Sequence, residues 1–293
     1  MKSIRFLISL AILPFLAGCS SFFTLIRYSP STKIVGSEYT DDFNTRYQFF
    51  YSDTLGNDYL RNLRKTYRLD SLTANVSDQF EKVKIILDWT NKQWKHSGSN
   101  QPAKSDAISI LEEAKTGKSF RCVEYGIVCS AALNSIGIPA RVLALKTRDV
   151  EKIKYGAGHV AAEVYLFDYQ KWVFIDGQFN AIPMLNNIPL NAIEFKKAFM
   201  EKCNDLQIVS LAGVATDEQK ECYLKFVIKY IFYLDIMFDQ RVANDIKREN
   251  IDGKSKLMLV PANTKKPTVF QKKYPINYCE YTSSLADFYR EPN

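Results

Sequence analysis

The chain has 293 residues, 46% of them hydrophobic, 13% aromatic and 24% charged. That balance is globular: it excludes wholesale disorder and supplies apolar material for one sizeable core or two small ones. The formal net charge of +7 is spread along the chain. No Lys/Arg run with interleaved aromatics marks a nucleic-acid surface, so nucleic acid is not an expected partner.

The first nineteen residues read as a targeting segment rather than as part of the fold. Lys2 and Arg5 form a positive start, and residues 6–15 are an apolar run too short for a comfortable membrane span. Leu16-Ala17-Gly18-Cys19 follows and resembles the lipobox of bacterial lipoproteins. The resemblance implies cleavage before Cys19 (residues 1–18 being the signal peptide) and acylation of its thiol and new amino terminus. The expected partner is therefore a lipid bilayer and the expected location a bacterial cell envelope. In a Gram-negative host that is the outer membrane or the periplasmic side. More than one acyl chain makes such anchoring stable, since each buried CH2 adds about 0.8 kcal/mol.

Residues 19–75 are polar and aromatic with weak periodicity, which predicts a tether followed by loops or a small packing segment. From Ser77, a plausible N-cap, the pattern turns helical through Phe80, Val83, Ile86 and Leu87, and Trp89 and Trp94 extend it toward His96. After a loop, Ser105 caps a second helix through Ile108, Leu111 and Ala114. Residues 116–118 break it, and Ser119 can cap a third helix over 120–136. Gly137 is placed to end that helix, and Pro139 prevents its continuation. Residues 140–145 read as a strand and 147–158 as a polar loop. Residues 159–167 alternate as a strand, with His159, Ala161, Glu163 and Tyr165 on one face. A turn at 168–170 leads into a paired strand over 171–176. Further on, 190–202 and 217–225 read as helical and 230–238 as a strand. The last forty residues suggest short strands or loops.

Nucleophilic catalysis by cysteine needs a thiolate, a base for its proton and a group that orients the base. Cys122 lies in the first turn of the third helix, where the dipole and the free N–H groups favour a thiolate and can hold an oxyanion. His159 begins a strand after a glycine-containing loop, and the chain has only two histidines. Asp176 ends the neighbouring strand, at the same end of the hairpin as His159, so it can accept from one imidazole nitrogen and leave the other for Cys122. His96 reads as a surface loop residue, and Trp172 and Phe174 as core. Arg141 reads as a fold anchor, Glu124 and Glu163 as solvated or structurally paired, and Cys129 as packed in its helix face. Beyond Cys19 the cysteines are 122, 129, 203, 222 and 279. Five is odd, so at least one thiol stays free or pairs between chains. Cys122 and Cys129, two helical turns or about 10 Å apart, cannot bridge. No spacing resembles a zinc site and no cofactor is implied.

Four blocks, Phe120-Arg121-Cys122-Val123-Glu124-Tyr125, Gly137-Ile138-Pro139-Ala140-Arg141, Gly158-His159-Val160-Ala161-Ala162-Glu163-Val164-Tyr165 and Trp172-Val173-Phe174-Ile175-Asp176, resemble the transglutaminase-like superfamily in content, order and spacing. The resemblance implies an α+β, papain-like core over residues 76–180, with the cysteine at a helix N-terminus packed against an antiparallel sheet that carries His and Asp. It further implies Cys122 as nucleophile, His159 as general base and acid and Asp176 as orienting carboxylate. Trp94 is the nearest candidate for an oxyanion donor. Val123 stands where crosslinking members usually have Trp, and no Ca2+ loop is visible, so hydrolysis of peptide, isopeptide or glutamine-type amides is expected over crosslinking. The expected substrate is a peptide or protein of the cell envelope. The alternative is a binding or scaffolding lipoprotein that keeps the fold without using the three residues. Residues 181–293 form an α+β extension, either an elaboration of the core or a small second domain.

Overall fold

The computed structural model describes residues 36–54, 56–242 and 247–292, all within the compact unit Thr32–Asn293. The targeting segment and Cys19 lie outside the described residues. Among the described residues no helix is long and apolar enough to cross a membrane.

Two short helices, α1 (Asp58–Thr66) and α2 (Leu69–Thr73), lie in the segment before residue 76 that reads as loops or a small packing segment. Each offers too few apolar positions to show a period. Burial of Leu60, Leu63 and Leu69 holds them in place, as it does for most helices of one or two turns. Helix α3 (Gln79–Asn91) starts at Asp78 rather than Ser77, because the Asp78 carboxylate accepts from the Glu81 amide at 2.8 Å. It stops before Trp94. Tyr125 donates to the Trp94 carbonyl at 2.7 Å and the Ser97 amide donates to the Phe120 carbonyl at 2.7 Å. Together these bonds draw residues 94–97 off the helix axis. Helix α4 (Ala107–Lys115) is likewise capped by an aspartate, Asp106, and not by Ser105.

Helix α5 runs Cys122–Ser135. Glu124 accepts from the Arg121 amide at 3.0 Å and pairs with the Arg121 guanidinium at 2.6 Å, which fixes the start two residues later than a Ser119 cap would. Gly137, at φ +85°, ends it as expected. The chain then forms an antiparallel meander of β1 (Ala140–Lys146), β2 (Gly158–Leu166) and β3 (Lys171–Ile175). Helix α5 lies across β1 and β2, with Val128, Ala131, Ala132 and Leu133 buried in one cluster with Ala140, Ala162, Val164 and Val173. Each Val or Leu so buried contributes about 1.5–3 kcal/mol.

The extension brings β4 (Ile182–Leu185), β5 (Ile188–Pro189), α6 (Ala192–Met200), β6 (Leu206–Ser210), β7 (Gly213–Val214) and α7 (Asp217–Val227). It continues through β8 (Tyr233–Met237), β9 (Lys256–Leu259), β10 (Val269–Phe270), β11 (Tyr274–Pro275), β12 (Cys279–Thr282) and α8 (Leu285–Phe288). Strands β8, β9 and β12 complete the main sheet in the order β12-β9-β8-β1-β2-β3. All its pairings are antiparallel except β12 with β9. The extension thus adds to the sheet that carries His159 and also forms a second sheet, β5-β4-β6-β7. Arg141 ties the two parts of the chain together. Fully buried, it pairs with Glu163 at 2.7 Å, donates to the Phe288 carbonyl at 3.1 Å and lies 4.1 Å over the Trp172 ring.

Candidate active site

Cys122 is the first residue of α5 and partly exposed. His159 is the second residue of β2, and Asp176 follows directly on β3. The β2–β3 register pairs Ala162 with Ile175, so one step further Asp176 falls opposite Ala161. His159 is therefore the diagonal neighbour on the same face, two residues from direct opposition. Such a diagonal is within reach of long side chains, and His159 Nε2 lies 2.8 Å from Asp176 Oδ2. A carboxylate only accepts, so Nε2 carries the hydrogen and Nδ1 stays available, and Cys122 lies near enough to favour the imidazolium.

Both ends of this pair are withdrawn from solvent, His159 being 2% exposed and Asp176 0%. Burial alone would push the imidazolium down. Asp176 first and Cys122 second outweigh it and raise His159 to about 10. The carboxylate is held on its other side too. Asp176 Oδ1 accepts from the amides of Gln178 and Phe179 at 3.1 and 3.3 Å, while Tyr223 donates to Oδ2 at 3.1 Å. Phe226 meets the His159 ring edge-on at 5.2 Å, and Tyr230 and Phe179 lie at 5.9 and 6.1 Å.

Trp94 packs against two residues that lie either side of Cys122 in the sequence, 4.5 Å from the Tyr125 ring and 5.7 Å from Phe120. Its indole Nε1 is buried without a hydrogen-bond partner. His96 is a loop residue, as expected, but not a fully exposed one. It is half-buried, between the two bonds that stitch residues 94–97 to 120–125. Burial and then His159 push its imidazolium down. Glu124 is 0% exposed and engaged with Arg121, so its role at this site is to hold the helix start. The cysteines at 122, 129, 203, 222 and 279 are all free thiols.

The structure thus brings Cys122, His159 and Asp176 together, and packs Trp94 on Phe120 and Tyr125 beside the start of α5. Tyr223, Phe226 and Tyr230 were missed. Their spacing, with Val227, is an apolar stripe at i, i+3, i+4 and i+7, which marks an inward helix face but not what that face meets.

Residues 67–177 match the family model described as the transglutaminase-like superfamily. No curated protein matches the chain. Among solved structures, a candidate cysteine protease from Cytophaga hutchinsonii is 16% identical, with 48% of this chain and 46% of that chain covered and a TM-score of 0.33. The periplasmic domain of TgpA from Pseudomonas aeruginosa is 19% identical, with 43% and 51% covered and a TM-score of 0.30. Red sea bream transglutaminase is 11% identical, with 76% and 51% covered and a TM-score of 0.32. The match thus spans about half the length of each of these proteins.

Proposed function

Residues 67–177 of this chain belong to the transglutaminase-like superfamily, and from that premise we propose that the protein is a cysteine enzyme that opens amide bonds through an acyl-enzyme. The observation that carries the reading is the buried His159 Nε2–Asp176 Oδ2 bond of 2.8 Å, which leaves Nδ1 available to the thiol at the head of α5. His159 takes the proton of Cys122, and Sγ attacks the carbonyl carbon of a peptide, isopeptide or glutamine-type amide. The oxyanion is held by the free amides of the first helical turn and by the unpartnered Trp94 indole N–H. The imidazolium then gives its proton to the leaving amine as the C–N bond breaks. Water, deprotonated by the same imidazole, resolves the thioester. Water is favoured over an amine acceptor because Val123 leaves the nucleophile without the Trp that usually follows it in crosslinking members.

Iodoacetamide at neutral pH is expected to label Cys122 at least tenfold faster than the other partly exposed thiols, Cys203 and Cys222, and the His159→Gln variant is expected to lose that advantage. Equal rates at all three would sink the enzyme reading. The lipobox-like segment supports attachment through acylated Cys19 to a bacterial envelope membrane, with envelope peptides or proteins as substrates. A Cys19→Ala variant is then expected in the soluble fraction, and its persistence with membranes would remove the anchor.

A further inference from the structure

Asp176 accepts four hydrogen bonds, three of them from residues within or just after the family-matching segment. Oδ1 takes the two amides of the turn that follows it, and Oδ2 takes His159. The fourth donor is Tyr223 of α7, beyond the segment that matches the family. From this we infer that Tyr223 is a positioning residue of the candidate site, its hydroxyl restraining the Asp176 carboxylate and limiting how strongly that carboxylate holds the proton on His159. The inference rests on the acyl-enzyme reading and deepens it.

The geometry gives the phenol two effects. It stops the carboxylate from rotating about its bonds to the turn amides, because Oδ2 is pinned from a second direction. It also shares Oδ2 with the imidazole, and a second donor on one oxygen weakens the first by drawing off negative charge. No solvent can take its place, since Asp176 is 0% and Tyr223 4% exposed. The ring itself is fixed, 5.2 Å from Phe179 and stacked on Phe195 at 6.4 Å with a 12° interplanar angle. Burial, and then Asp176, push the phenol well above its ordinary value, so it remains a donor.

The other titratable groups around the pair are Cys122, Glu124 and Tyr125 of α5, His96 of the preceding loop and Tyr230 after α7. Cys129 of α5 also feels Asp176. A Tyr223→Phe change leaves all of these in place.

The test is the pH profile of Cys122 alkylation by iodoacetate, read by mass spectrometry of the Cys122 peptide. The anionic reagent is drawn to thiolate beside imidazolium, so the rate falls when His159 loses its proton. In Tyr223→Phe the alkaline limb is expected to move up by about 0.5–1 pH unit, a threefold to tenfold change in proton affinity. Tyr281→Phe removes a comparable bond, to the Pro267 carbonyl at 2.6 Å, far along the chain from the site. It is expected to leave the limb unmoved while lowering the melting temperature similarly. A Tyr223→Phe profile superimposable on the parent, or displaced downward, overturns the inference. A parent protein with no bell-shaped profile overturns the acyl-enzyme reading instead.

Discussion

Gly126 of α5 lies so close to β2 that a methyl group built on it would stand 2.9 Å from the Ala161 carbonyl oxygen and 3.0 Å from Val160 Cγ1. The helix that carries Cys122 therefore rests on the strand that carries His159, its backbone close to the Ala161 carbonyl and flanked by the Val160 side chain. Gly126→Ala must push the two apart, since the nearest obstacle, the Ala161 carbonyl oxygen, is backbone. Overpacking of this kind costs about 1–3 kcal/mol. The expected outcome is a lower urea midpoint together with at least tenfold slower iodoacetamide labelling of Cys122. A variant that loses stability but labels at the parent rate would show that this contact does not set the Cys122–His159 spacing.

Arg141 and Glu163 face each other across β1 and β2, both fully buried. Truncating one charge strands the other in a dry interior, so Arg141→Ala is expected to cost about 3–5 kcal/mol by urea denaturation. Replacing both with apolar residues of similar size removes that penalty. The double variant Arg141→Met, Glu163→Leu is therefore expected to be more stable than Arg141→Ala. Were the double variant the worse of the two, the Phe288 carbonyl and the Trp172 ring, not Glu163, would be the partners that matter.

Much of this site could be read from the residues because its chemistry lies in contiguous blocks. A cysteine after a helix break, a histidine opening an alternating strand and an aspartate closing the next gave the hairpin and the end at which the pair meets. The register was less legible. A hairpin with Phe167–Tyr169 as a turn of helix and Gln170 at φ +50° puts His159 and Asp176 on a diagonal rather than directly opposite. Helix starts shifted wherever an acidic side chain outcompeted a serine for the same free amides, as Asp78, Asp106 and Glu124 each did. The partial burial of His96 was not legible because it comes from bonds made by its neighbours Trp94 and Ser97, to residues more than twenty positions away. Tyr223 was invisible for the same reason: its partner is 47 residues distant, and no local pattern encodes such a pair.

The loop before β2 is braced by the β10–β11 hairpin. Phe270 lies 3.1 Å from where a Gly158 Cβ would be, and the Gln271 amide donates to the Val150 carbonyl at 2.9 Å. With its side-chain oxygen turned to them, Gln271 also accepts from the amides of Gly156 and Ala157 at 2.8 and 3.0 Å. Gln271→Ala removes both side-chain bonds at a cost of about 1 kcal/mol each. Amide hydrogen exchange at residues 156 and 157 is expected to accelerate at least fivefold, with exchange in α5 unchanged. Unaltered exchange at 156 and 157 would show that the loop holds itself.

The raised proton affinity of His159 makes the fold sensitive to pH in a definite direction. In the unfolded chain the imidazole titrates near its ordinary 6.5, whereas in the folded protein Asp176 and Cys122 hold its proton to about 10. Below 6.5 both states are protonated and the favourable contacts of the imidazolium count in full. Between 6.5 and 10 the folded state binds a proton that the unfolded state lacks, so this part of the stability declines as pH rises and is gone above 10. The parent protein is therefore expected to lose stability across that window more steeply than Asp176→Asn, in which the partner that holds the proton is neutral. Urea denaturation of both proteins at pH 6, 8 and 10 measures the difference. Parallel declines would mean that the Asp176 carboxylate does not hold the proton on His159.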